Sequence, residues 1–251
     1  MAMDSPFVSL TSNKTRFMFC HFTTCHFKRH LKTATALLSI SFAVASANAS
    51  EILKIFEDGD ASEWKQESFK GFTSYEPAIL DGATVLKATS NGTASGLFLK
   101  KRIDLLQTPF LNWKWQVSEA LPKLDEQSKE GDDYAARIYV VIDGGLMAWR
   151  TRSLNYVWSG SQQAETFWDN AFVGSNVCMV AVRGEDALTQ TWYSEKRNVY
   201  QDLITYLGDK GSKRANERAY RYIDVVAIMT DTDNSQASAT TYYGDISFSA
   251  Q

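Results

Sequence analysis

From residue 52 onward, apolar and polar positions alternate with a period of two in one stretch after another, as in strands that rest one face on a core. The run from Tyr222 to Phe248 is the clearest. Ile223, Val225, Ala227 and Met229 fall on one face, the chain breaks at Thr230-Asp231-Thr232-Asp233-Asn234, and it returns through small residues to Tyr242-Tyr243-Gly244-Asp245-Ile246-Ser247-Phe248, where Ile246 and Phe248 share a face. Further strands are predicted over 52–56, 68–75, 83–89, 96–103, 110–117, 134–143, 155–159, 176–183 and 189–198, each with β-branched or aromatic residues. One helix is predicted over 199–207, VYQDLITYL, capped by Gly208 and followed by a charged loop over 209–218. Mostly strands with one helical connection predicts an all-β fold, an antiparallel β-sandwich of jelly-roll or galactose-binding-like type with one short helix.

Residues 1–49 read as a signal peptide with an extended leader. Lys28, Arg29 and Lys32 supply a positive region, residues 35–46 (TALLSISFAVAS) an apolar one, and Ala47-Asn48-Ala49 a cleavage site. Met18 is an alternative start that gives the leader an ordinary length. The apolar run falls short of the about 20 residues that span a bilayer, so a cleaved, periplasmic or secreted product is expected, with no stable membrane insertion. The remainder, 50–251, carries no Pro-, Gly- or Ser-rich linker and is expected to form a single domain.

Setting the leader aside narrows the chemistry. All three histidines and two of the three cysteines lie in it, leaving Cys178 within an apolar run where a buried, inert thiol is expected. The leader also holds five of the 26 basic and one of the 29 acidic residues, so the formal charge of −3 becomes −7 from Ser50 onward. That balance opposes non-specific nucleic-acid or anionic-membrane binding. With no phosphate loop, no Cys or His cluster and no nucleophile elbow in the domain, nucleotide hydrolysis, zinc chemistry and triad hydrolysis are not expected.

The remaining candidates are polar and aromatic residues inside strands. Alternation places Tyr134, Ala136, Ile138 and Val140 on a core face and Arg137 with Tyr139 on the other, where a planar guanidinium can clamp hydroxyls or a carboxylate, or form a structural ion pair with Glu195 or Asp133. Glu195 and Arg197 share a face with Tyr193, and pairing within the protein is the reading preferred to ligand contact. Trp113 and Trp115 read as core. Tyr156 and Trp158, flanked by polar turns, are candidates for an exposed sugar-stacking pair, and Trp149 and Trp168 for the rim of a cleft. Asp231 and Asp233 complete the ligand-binding candidates. Glu57, Asp58 and Asp60 follow the first strand, and Asp245 lies in the last; if those strands are neighbours, the four carboxylates suit a Ca²⁺ ion.

Five ordered segments, 132–140 (DDYAARIYV), 154–159 (LNYVWS), 195–202 (EKRNVYQD), 229–234 (MTDTDN) and 242–246 (YYGDI), resemble domain-of-unknown-function family 3047 of bacterial secreted proteins. The resemblance implies a sandwich akin to carbohydrate-binding modules and no assigned activity. The long charged loop 121–131, LPKLDEQSKEG, departs from the pattern. A glycan or similar polar ligand on one sheet face is the expected partner. The alternatives are a polysaccharide lyase or glycoside hydrolase on the same face, and a structural envelope protein.

Overall fold

The computed structural model describes residues 52–251; the leader expected over 1–49 lies outside them. Thirteen strands run in order: β1 (Ile52–Phe56), β2 (Lys65–Lys70), β3 (Ser74–Leu80), β4 (Ala83–Asn91), β5 (Ala94–Asp104), β6 (Phe110–Val117), β7 (Arg137–Ile142), β8 (Arg152–Trp158), β9 (Phe167–Asn170), β10 (Gly174–Arg183), β11 (Tyr193–Asn198), β12 (Tyr222–Asp231) and β13 (Ser238–Ser249). They form two sheets. One has the order β11-β6-β13-β4-β3, with β1 also paired to β13; the other has the order β2-β5-β12-β7-β8-β10-β9. Pairing is antiparallel except between β8 and β10, which run parallel because β9 is laid down first, on the far side of the place that β10 takes.

The inner faces meet in one aromatic core. Trp113 and Trp115 stand edge to face with ring centres 5.3 Å apart, Tyr156 stacks on Trp113 at 5.4 Å, and Trp158 meets Trp115 at 6.0 Å and Tyr193 at 5.3 Å. Leu86, Leu111, Ile138, Val140, Leu154, Val226, Ile228, Ile246 and Phe248 fill the space around them. The alternation of β7 and β13 therefore has the expected sense. As in a jelly roll, the first and last strands lie side by side, with Phe56 opposite Ile246.

Two helices connect β11 to β12. In α1 (Val199–Leu207), Asn198 accepts a hydrogen bond from the Gln201 N–H at 3.0 Å, and Val199 and Leu203 are buried in the core. The segment expected to be a charged loop contains α2 (Lys213–Tyr220). Ser212 caps it from the Ala215 N–H at 3.3 Å, and Tyr220 anchors it by donating its hydroxyl to the carbonyls of Leu207 and Gly208. A helix that buries only Asn216 and Tyr220 has too thin an apolar stripe to announce itself.

Candidate functional site

The outer face of the seven-stranded sheet is where the chain gathers exposed rings above a polar floor. In β5, Leu97 and Leu99 enter the core, so Phe98 between them points outward. Its cross-strand partner is Ala227, which in turn lies opposite Tyr139. The methyl group of Ala227 leaves room for the two rings to approach over it, centres 6.4 Å apart, and Phe69 of β2 continues the row at 6.4 Å from Phe98. Gly96 contributes by what it lacks, since a Cβ there would meet the Phe98 ring at 3.0 Å. Phe69 is 40% exposed, and Phe98 and Tyr139 are half-buried, with the Tyr139 hydroxyl donating to Met229 Sδ at 3.3 Å.

One step along β7 the row ends on a buried ionic cluster. Arg137 lies over the faces of Tyr134 and Tyr139, 4.9 and 5.5 Å from the ring centres, and its guanidinium pairs through Nη2 with Asp231 and sits 3.9 Å from Asp132. Asp132 also accepts two hydrogen bonds from Asn170 Nδ2, at 3.1 and 3.2 Å. Asp133 accepts from the N–H groups of Asn234 and Ser235, at 3.1 and 2.6 Å. Burial pushes the Asp231 and Asp132 carboxyls above the usual range and Arg137 opposes the rise; Asp233 is also raised by burial.

The charged loop 121–131 shapes this face. Glu126 is buried, accepts from Ser159 Oγ and from the Gly160 N–H at 2.8 Å, and is pushed upward by burial, with no ion pair to a cation among the described residues. Its backbone carbonyl accepts from the Tyr134 hydroxyl at 3.1 Å and Trp168 Nε1 at 3.2 Å. Tyr134 and Trp168 stack 6.5 Å apart and cluster with Val157, Met179 and Ala181. The loop thereby covers the β8-β10-β9 half of the face; on the other half Phe69 and Lys100 are exposed and Phe98 and Tyr139 half-buried, over buried Val141, Val225, Ala227 and Met229.

Arg137 and Tyr139 stand together on this face as alternation predicts, although Arg137 pairs with Asp231 rather than Glu195 or Asp133. Asp231 joins them and Asp233 lies beside the cluster. Tyr156 and Trp158 do not: both are buried in the core on the opposite face, and Tyr156 donates its hydroxyl to Asp202 at 2.8 Å. Their polar flanks belong to the strand's ends, while the rings follow the inward face. Glu195 is internally paired, accepting from Trp115 Nε1 at 3.0 Å and from both Arg183 Nε and Nη2, and Arg197 is held by Asp202 and Glu165. Trp149 is 70% exposed, whereas Trp168 is buried. Cys178 is buried and its thiol is pushed up to about 12, as an inert cysteine's would be.

Of the expected cation ligands, Glu57 is tied to Lys54, Asp60 accepts from the Ser62 N–H at 2.8 Å, and Asp245 reaches from the last strand to accept from the Asp58 N–H at 3.3 Å. Among the described residues the carboxylates that converge are Asp133, Asp231 and Asp233, with ligand oxygens within 4.8 Å of one another. Ca²⁺ takes about six to eight oxygens, and here Arg137 already claims Asp231 while two backbone N–H groups claim Asp133.

The alternation missed Phe69 and Phe98. For Phe98 the signal was present, since a large aromatic between two core leucines must face away from the core.

The family described as "Protein of unknown function (DUF3047)" matches residues 62–247. The chain belongs to this family. No curated protein matches it. Among solved structures, the K1 cleaved adhesin domain of Lys-gingipain from Porphyromonas gingivalis W83 is similar over 80% of this chain and 99% of its own, with 13% identity and a TM-score of 0.37. The xyloglucanase domain of NopAA, a type three effector from Sinorhizobium fredii, is similar over 74% and 92%, with 8% identity and a TM-score of 0.40. The low-affinity xylan binding module CBM86 from Roseburia intestinalis is similar over 79% and 93%, with 14% identity and a TM-score of 0.28. The DUF3047 match spans β2 to β13 and so takes in both the aromatic row and the ionic cluster.

Proposed function

We propose that this member of the DUF3047 family is an exported glycan-binding protein whose site is the uncovered half of the outer face of the seven-stranded sheet. The observation that carries the reading is the row Phe69, Phe98 and Tyr139, its members spaced 6.4 Å apart. A sugar ring presents a face of C–H groups that packs on such rings and a rim of hydroxyls that needs polar partners. Lys65 and Glu67 of β2 and Lys100 of β5 stand beside the row and supply donors and acceptors. Arg137 and Asp231 act from beneath, fixing Tyr139 rather than touching the ligand, because both are almost fully buried.

The test is a glycan array probed with the purified protein, with and without chelator, followed by analysis of the captured glycans for cleavage. Saturable binding that falls roughly tenfold in Phe98→Ala supports the site. Absence of binding to every glycan defeats the reading, cleavage replaces binding by turnover, and binding abolished by chelator adds a cation at the three aspartates.

A further inference from the structure

The exposed apolar residues are distributed unevenly, and five of the largest stand at one end of the seven-stranded sheet. The turn between β7 and β8 carries Leu146, Met147 and Trp149, which are 85%, 38% and 70% exposed. Because β8 and β10 run parallel, the turn that precedes β10 lies at the same end, and it carries Phe172 and Val173, 46% and 48% exposed. Asn176 Nδ2 joins the two turns by donating to the Trp149 carbonyl at 3.2 Å. Neither turn belongs to the aromatic row.

Against the net charge of −7 from Ser50 onward, three cations stand at these tips. Arg150 and Arg152 follow Trp149 directly and Lys129 lies 5.5 Å from the ring centre of Phe172; none of the three has a carboxylate partner among the described residues. Of the acids at this end, Asp143 accepts from the Gly145 N–H at 2.9 Å, Asp224 accepts from the Asp143 N–H at 3.1 Å and sits near Arg102, and Glu130 and Asp169 are exposed.

We infer that these two turns are a peripheral attachment site for a lipid surface that displays anionic headgroups. Leucine, methionine and phenylalanine side chains enter the acyl boundary, the Trp149 indole sits at headgroup level, and the two arginines and Lys129 meet phosphates. A protein partner fits less well, since five side chains on two tips fall far short of the about 20 to 30 residues a side in a standard interface. No helix among the described residues is long and apolar enough to cross a membrane, so the attachment is to the surface.

The experiment uses the full chain, sedimented with phosphatidylcholine vesicles made with and without phosphatidylglycerol. Expected are binding that is stronger with phosphatidylglycerol and weakens with salt, and a loss of roughly tenfold or more in partitioning for Leu146→Ser/Trp149→Ser. Arg150→Gln/Arg152→Gln removes the preference for the anionic lipid. Quenching of tryptophan emission by brominated lipid is expected in the parent and lost in Trp149→Phe, a change that leaves the fold untouched because the side chain lies in solvent. The inference is overturned by no sedimentation with either vesicle, by equal binding to both, or by sedimentation that the turn variants leave unchanged. It is also overturned if those variants alter only self-association in light scattering.

Discussion

Arg137 and Asp231 are each almost wholly buried, and neither is stable there without the other. Arg137→Met leaves Asp231 as an unpaired buried charge, and a loss of about 3 to 5 kcal/mol at neutral pH is expected in urea unfolding. Since burial already holds the Asp231 carboxyl high, protonation relieves the variant, and its deficit shrinks as pH falls. Arg137→Met/Asp231→Leu removes both charges and recovers most of the loss. Glu126, which pairs with no cation among the described residues, tests the same physics. Its folded pKa lies above the unfolded value, so the folded state holds the proton more tightly; that contribution is complete below about pH 4.3 and is lost as pH rises through the folded value. Glu126→Gln is therefore expected to flatten the decline of unfolding free energy from mild acid toward neutrality, as read from urea titrations at several pH values. Alternation showed which face Arg137 and Tyr139 occupy, because one strand suffices for that. It could not show that Asp231, 94 positions away, is the partner, since the pairing of β7 with β12 is a property of the sheet.

Strands and helices were legible in proportion to how much apolar surface each devotes to the core. β6 and α1 occupy the expected residues, and both present a continuous apolar face. β9 has four residues at a sheet edge and buries only alternate ones, Trp168 and Asn170, so its pattern is too short to read. The strand expected over 68–75 is two, β2 and β3, separated by Gly71 at a φ of 63°, a left-handed turn that glycine adopts without strain. Gly96 matters to β5 for its size. Gly96→Ala brings a methyl group against the Phe98 ring and the Ile228 carbonyl, both 3.0 Å from the new atom, and is expected to lower glycan affinity more than Lys100→Ala, as measured by titration calorimetry. At α1, Asn198→Ala removes the cap on the Gln201 N–H and is expected to cost about 1 kcal/mol in thermal or urea unfolding without affecting either face of the sandwich.

At the scale of the molecule, β13 has an unusual position for a final strand. It is central, hydrogen-bonded along one side to β6 and along the other to β4 and then β1, end to end. Its Thr241 and Tyr243 side chains also reach the facing sheet, donating to the Ala135 carbonyl at 2.6 Å and the Met229 carbonyl at 2.8 Å. A sheet whose middle strand comes last cannot be completed by any shorter piece of the sandwich. A chain cut after Gln236 leaves β6, β4 and β1 with unpaired edges and an uncovered aromatic core, and it is expected to show no cooperative unfolding transition in urea. For a chain growing from its N-terminus, the order of events follows: β1 must wait for a partner about 190 positions downstream, and assembly of the six-stranded sheet is a slow, post-synthetic step governed by loop closure rather than by local propensity. The six-stranded sheet of a growing chain is thus expected to stay unclosed until β13 has been made.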